Sequence, residues 1–105
     1  MQLLMLLASA GSTNTGDDNI FIGVTAGYGN TDADKNVGIG RGALYSNLDG
    51  DQNVGIGYKA LSGSTASNNI GIGHEAGDAV TTGQGNTIVG SNAGQSFDTE
   101  SYVTV

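Results

Sequence analysis

The sequence predicts an all-β fold, a parallel β-solenoid with five coils of about 17 residues each, and three observations carry that expectation. The first is an internal repeat. The strings "DNIFIGVTAG", "KNVGIGRGAL", "QNVGIGYKAL", "NNIGIGHEAG" and "GNTIVGSNAG" place Asn at 19, 36, 53, 69 and 86, in steps of 17, 17, 16 and 17 residues. A fixed period of this length marks a chain built by stacking one supersecondary unit. The second is a set of invariant columns counted from each Asn. An apolar residue stands three positions on (Ile22, Ile39, Ile56, Ile72, Val89), Gly at four (Gly23, Gly40, Gly57, Gly73, Gly90) and Ala at seven (Ala26, Ala43, Ala60, Ala76, Ala93). The third is local alternation of apolar and small residues, as in Val37, Gly38, Ile39, Gly40, which is a period of two and therefore a strand.

Each coil is read as one strand followed by a return path. The connectors, such as "SNLDGD" and "SGSTASN", consist of Gly, Asn, Asp, Ser and Thr, which bend the backbone through left-handed tolerance and side-chain-to-backbone bonding. Stacking coils about 4.8 Å apart turns the Ile, Gly and Ala columns into ladders. The repeat's Ile is taken as the buried residue, each coil covering its apolar edge with a copy of itself. Gly at alternating positions (Gly38 and Gly40, Gly55 and Gly57, Gly71 and Gly73) leaves one strand face without side chains and points to the close approach of another backbone.

Composition narrows the function classes. The chain has 105 residues with 19 Gly and no Pro, Cys or Trp, and 3 basic residues against 10 acidic ones give a net charge of −7. Nucleic acid as a partner is disfavoured because phosphates demand Lys and Arg clusters, and membrane insertion is not expected. Five phased copies argue against disorder, which has no need to hold a phase. Large apolar side chains are too sparse for a conventional core, so burial is expected to be completed by neighbouring chains, with a homotrimer as the preferred assembly.

Three segments follow. Residues 1–16 hold the apolar "MQLLMLLASA", read as a strand, cap or assembly segment at one end rather than as a signal remnant, because no Lys or Arg precedes it. Residues 17–94 form the repeat domain, and residues 95–105, ending in the alternating "ESYVTV", a further assembly strand. Polar caps are missing from both ends, and uncapped solenoid ends invite head-to-tail pairing.

The strings "KNVGIG", "QNVGIG" and "NNIGIG" resemble the "NSVAIG" signature of trimeric autotransporter adhesin heads, and "NVGIGYKAL" is similar to repeats of bacteriophage tail-fibre and tailspike proteins. Gly mostly stands where the signature has Ala. The resemblance spans about residues 17–94. It implies a left-handed β-roll, three chains side by side or intertwined, and the Val or Ile pair of each strand pointing into a shared core. No coiled-coil stalk or anchor barrel follows the repeats. The expectation is therefore an extracellular, non-enzymatic fibre module of a phage tail fibre or bacterial surface fibre, with a self-assembling filament subunit as the alternative.

Enzymatic readings are weaker. Left-handed β-helix acyltransferases also use Ile-Gly hexapeptides, but need them on three faces of a coil, whereas here they lie on one. The only His, His74, falls in a column shared with Val24, Arg41, Tyr58 and Ser91, and a base without a fixed partner is a poor catalyst. "GQGNTIVG" is Gly-rich, yet no Lys follows it as a phosphate loop requires. No catalytic residue and no organic cofactor is expected.

Two sets of residues are singled out. "DADKN" (Asp32, Asp34, Asn36) and "DGDQN" (Asp49, Asp51, Asn53) repeat the D-x-D-x-N spacing of calcium-loop ligands one period apart. Stacking would bring Asp34 beside Asp51 and Asp17, where like charges repel. Either the ladder splays into water, which is preferred because a distal bidentate Glu is missing, or Ca2+ bridges it. The second set is the variable columns five and six after the Asn. Arg41, Tyr58, Lys59, His74, Glu75, Ser91 and Asn92 form a face free to diversify toward a host glycan or protein receptor. Tyr28 and Tyr45 share column nine and are read as packing.

Overall fold

The computed structural model describes residues 10–105; most of the apolar N-terminal segment, residues 1–9, lies outside them. Five strands, β1 (Ile20–Ile22), β2 (Val37–Ile39), β3 (Val54–Ile56), β4 (Ile70–Ile72) and β5 (Thr87–Val89), form one parallel sheet in sequential order. The chain is a β-solenoid of about four turns, and no helix occurs among the described residues. Register follows the repeat: Val37 pairs with Val54 and Ile39 with Ile56, then Val54 with Ile70 and Ile56 with Ile72. The 16-residue step between Asn53 and Asn69 leaves that register intact. Its missing residue falls in the turn where the longer coils carry exposed Asp32 and Asp49.

The invariant Gly and Ala columns are the two ends of one turn. In every coil the Ala N–H donates to the carbonyl of the Gly three residues earlier, at 3.1 Å from Ala26 to Gly23 through Ala93 to Gly90. All five glycines have φ between 122° and 132°, a region that a side chain strains. A Cβ on Gly57 would also lie 2.5 Å from the Gly73 carbonyl oxygen. The third residue of this turn has positive φ as well (Thr25, Gly42, Lys59, Glu75, Asn92), as a type II turn requires. Columns five and six are therefore the two central residues of an outward turn, which is why their side chains can vary.

The expectation that the repeat's Ile is buried within its own stack of coils is overturned, whereas an outward Val and Ile pair is compatible with the shared core that the resemblance implies. The Ile column points outward: Ile20, Ile22, Ile72 and Val89 keep 52, 42, 37 and 53% of their surface exposed. The residue between them points in, and it is Phe21, Gly38, Gly55, Gly71 and Ile88 in successive coils. The glycines are there to accept side chains from column eight, which holds Gly27, Leu44, Leu61, Gly77 and Gly94. A Cβ on Gly55 would stand 3.1 Å from Leu44 Cγ, and one on Gly71 2.7 Å from Leu61 Cγ. Where the inward strand residue is large, column eight is Gly: a Cβ on Gly94 would meet Ile88 Cδ1 at 3.0 Å, and one on Gly27 would collide with the Phe21 ring. Large and small thus complement each other between the two columns, and in the fourth coil, where Gly71 and Gly77 are both small, Leu61 and Ile88 reach in from the coils on either side. The expected close approach of another backbone holds at Gly40, Gly57 and Gly73, where a Cβ would stand 2.7, 2.5 and 2.6 Å from the backbone of the next coil, whereas at Gly38, Gly55 and Gly71 side chains crowd the site as well.

The interior is half polar. Asn36, Asn53, Asn69 and Asn86 are fully buried beside Ala26, Ala43, Ala60, Ala76, Leu44, Leu61, Val80 and Ile88. Each of these Asn uses its side chain to clamp neighbouring coils. The Oδ1 of Asn36 accepts from the Asn53 N–H at 2.8 Å, that of Asn53 from the Asn69 N–H at 2.8 Å, and that of Asn69 from the Asn86 N–H at 2.9 Å. The amide nitrogens donate to carbonyls across the coil, Asn53 to Ala66 at 2.8 Å and Asn69 to Gly83 at 2.9 Å. Eleven residues after each repeat Asn, a second ladder begins polar, with Asn30, Asn47 and Ser64, and turns apolar at Val80 and Phe97. No buried side-chain polar atom among the described residues lacks a partner, as a low-dielectric interior demands.

The stacking reaches beyond residues 17–94. Gly11 N–H donates to the Ala26 carbonyl at 2.9 Å and Thr15 N–H to Thr31 at 2.6 Å. At the other end Thr87 pairs with Thr104, and Val103 N–H donates to Asn86 Oδ1 at 2.8 Å. Ala10, Gly11, Asn14 and Asp17 stand where Ala26, Gly27, Asn30 and Asp34 stand one coil later.

Candidate functional site

The aspartates of the D-x-D-x-N strings separate into different environments. Asp32 and Asp49 are exposed at the turn, whereas Asn36 and Asn53 are wholly inside the coil with their amides committed to the Asn ladder. Asp34 and Asp51 do line up, and their repulsion is met by a donor that the spacing did not disclose. Asp17 N–H donates to Asp34 Oδ1 at 2.7 Å, and Asp34 N–H to Asp51 Oδ1 at 2.8 Å. Ser67 and Ser101 take over in later coils, accepting from the N–H of Asp51 at 2.9 Å and of Gln84 at 3.0 Å. The column is thus an outer hydrogen-bonded ladder parallel to the Asn ladder inside. Among the described residues no three His, Asp or Glu side chains converge in a way that could hold a metal ion.

The turn-tip residues form a surface with more order than their variety suggests. Arg41, Tyr58, Lys59, His74, Ser91 and Asn92 are exposed and Glu75 is half-buried. Tyr58 and His74, neighbours in column five, stack with ring centroids 5.1 Å apart and planes at 22°. Lys59 Nζ stands 5.4 Å from the Tyr58 centroid, within cation–π range. His74 Nδ1 and Glu75 Oε1 are 3.7 Å apart, an exposed pairing of little energetic weight. Ser91 and Asn92 sit two coils from Tyr58 and extend the face without joining this cluster.

Column nine adds further residues to this surface. Tyr28 and Tyr45 stack at 5.2 Å with planes at 9°, and both stay exposed, so the packing is between rings on the surface. The column continues through Ser62 to Asp78 and Gln95. Asp78 accepts from Gln95 Nε2 at 2.8 Å. Burial, followed by the nearby Glu75 carboxylate, pushes its pKa above the usual value, while Gln95 and Lys59 pull it back. An open groove of about 670 Å3 runs between columns five, six, nine and ten, with Arg41, Tyr45, Tyr58, Lys59 and Asp78 along it. A signal for the extra members existed: columns nine and ten directly follow the Ala–Leu pair that turns inward, so they return to the surface beside columns five and six.

Fold and surface together define a β-solenoid repeat protein with an apolar strand face and a polar, aromatic turn face. Comparison with protein-family models, with curated proteins and with solved structures finds no match.

Proposed function

We propose that the chain is a non-enzymatic structural and adhesive fibre module, working outside the cell as a homotrimer in a phage tail fibre or bacterial surface fibre. The observation that supports this reading is the outward Val and Ile ladder. Ile20, Ile22, Ile39, Ile56, Ile72 and Val89 align on one face of the sheet from β1 to β5, and four of them are more than a third exposed. A continuous apolar strip of this kind marks an interface. Burying it against two more copies would supply the large apolar core that the interior, rich in Ala, Gly and Asn, does not provide. The opposite requirement, a solvated face free to vary, is met by the turn tips.

Light scattering across a dilution series, with and without a calcium chelator, tests the assembly. A constant trimer mass that collapses to monomer in an Ile39→Asp, Ile56→Asp variant supports the module. A parent monomer at every concentration overturns it. Growth into long polymers favours the filament-subunit alternative, and dissociation only with chelator would return Ca2+ to the Asp34 and Asp51 column.

A further inference from the structure

The turn face is uneven along the solenoid. Its two aromatic stacks stand in different columns, Tyr28 on Tyr45 in column nine and Tyr58 on His74 in column five. Neither continues. Beyond Tyr45 the next coil offers Ser62, and before Tyr58 the preceding coil offers Arg41. Gly42 and Gly63 carry no side chain, and Ser46 and Ser62 carry short ones, so the space between the stacks stays open as the groove of about 670 Å3. That size falls within the roughly 300–1,000 Å3 of small-molecule sites. Tyr45 and Tyr58 border it with 42 and 39% of their surface exposed.

Charge is concentrated there too. The chain has 3 basic residues against 10 acidic ones, and two of those three, Arg41 and Lys59, line this groove. With Asp78 the one carboxylate in the lining, these two cations give the groove a positive formal balance on a chain that is acidic as a whole, which favours an anionic ligand there. The Lys59 ammonium lies 5.4 Å from the Tyr58 ring centroid, within cation–π range. The Arg41 guanidinium offers a planar fork that fits carboxylate or sulfate. Ser46, Ser62 and Asp78 add hydroxyl donors and carboxylate acceptors suited to sugar hydroxyls.

We infer that this groove binds an acidic saccharide, a short glycan carrying carboxylate or sulfate groups, with a sugar ring against Tyr45 and the anion between Arg41 and Lys59. A neutral glycan would leave both cations unused. Nucleic acid would have to run past the groove onto acidic surface. The inference rests on the turn face being the recognition face of the module, and it names the chemistry recognised.

Calorimetric titration at low salt tests it with three probes: a galacturonate trisaccharide, a sulfated heparin disaccharide and neutral maltotriose. The variants are Arg41→Gln with Lys59→Asn, and Tyr45→Ser. All three side chains are exposed, and Asn tolerates the positive φ of position 59, so each variant should stay folded, with Tyr45→Ser losing no more than its stack on Tyr28 contributes. At least one acidic probe should saturate the protein, with maltotriose and the double variant each weaker by about tenfold or more. The acidic probe that binds more tightly distinguishes carboxylate from sulfate recognition. Failure of both acidic probes, equal binding of maltotriose, or unchanged affinity in the double variant overturns the inference. Light scattering on the same samples separates the two readings: a stable trimer that binds no acidic sugar defeats only the groove, and a monomer that binds one defeats only the trimeric fibre.

Discussion

Asn53 is the residue whose loss should cost most for its size, and the cost can be worked from its bonds. Its Oδ1 accepts from the Asn69 N–H at 2.8 Å, while its Nδ2 donates to the Ala66 carbonyl at 2.8 Å and to Asn47 Oδ1 at 3.2 Å. Asn53→Ala strands the N–H of the fully buried Asn69 and the part-buried carbonyl of Ala66. Each stranded group costs about 1–3 kcal/mol, so the two together should cost about 2–6 kcal/mol, a large part of the roughly 5–15 kcal/mol that holds most domains folded. Asp34→Ala is the control, because its Oδ1 serves the Asp17 N–H at 2.7 Å on the exposed ladder, where water replaces the acceptor. It should cost about 0.5–1.5 kcal/mol. Urea unfolding followed by circular dichroism, at fixed protein concentration, measures both. Equal losses at the two sites, or a loss below about 1 kcal/mol at Asn53, would refute the reasoning that the inner ladder is held by desolvated bonds.

Three further outcomes follow from the packing and the charges. Gly57→Ala should cost at least about 3 kcal/mol and abolish cooperative melting, because φ is 128° there and a Cβ would lie 2.5 Å from the Gly73 carbonyl oxygen. Gly38→Ala should destabilise the protein through its 3.0 Å approach to Phe21 Cδ1, and adding Phe21→Ala should relieve it, giving a favourable coupling of about 1 kcal/mol in a double-mutant cycle. Asp78 has a raised pKa, so its protonated form is the one the fold favours. Its contribution is present below the ordinary value of 3.8 and is lost as pH rises through the higher folded value. Asp78→Asn should therefore raise the urea midpoint at neutral pH, and the advantage should shrink as pH falls below 3.8; a pH-independent difference would contradict this.

The period, the strand positions and the Gly and Ala columns were legible because each coil faces the same constraint, and the constraint prints itself at the same offset. Which face of the strand turns inward was not legible. Alternation groups Val37 with Ile39 and sets Gly38 apart, but it does not say which group meets the interior. The rule that apolar residues go inside chose Ile39, and it failed because Leu44 and Leu61 reach the same space from column eight and need Gly opposite them. That compensation could have been read from the sequence, since Phe21 and Ile88 occur where Leu is missing at Gly27 and Gly94. Of the candidate site, Arg41, Tyr58 and Lys59 were visible as variable positions. Tyr45 was visible as a column-nine ring read as packing, and Asp78 could be joined to columns five and six only through the return of columns nine and ten to the surface. The Asp column was visible, but its backbone N–H partners depend on register at the level of single bonds.

The short coil shows what sets the spacing of the rungs. Asn53 and Asn69 are 16 residues apart, not 17, yet Val54 still meets Ile70, so the side-chain ladders measure each rung and the length of the outer turn does not. One residue more or less in the outer turn leaves the rung in place, because on either side of it Thr65 N–H still reaches the Thr81 carbonyl at 2.9 Å and the Ala66 carbonyl still accepts from Asn53 Nδ2 at 2.8 Å.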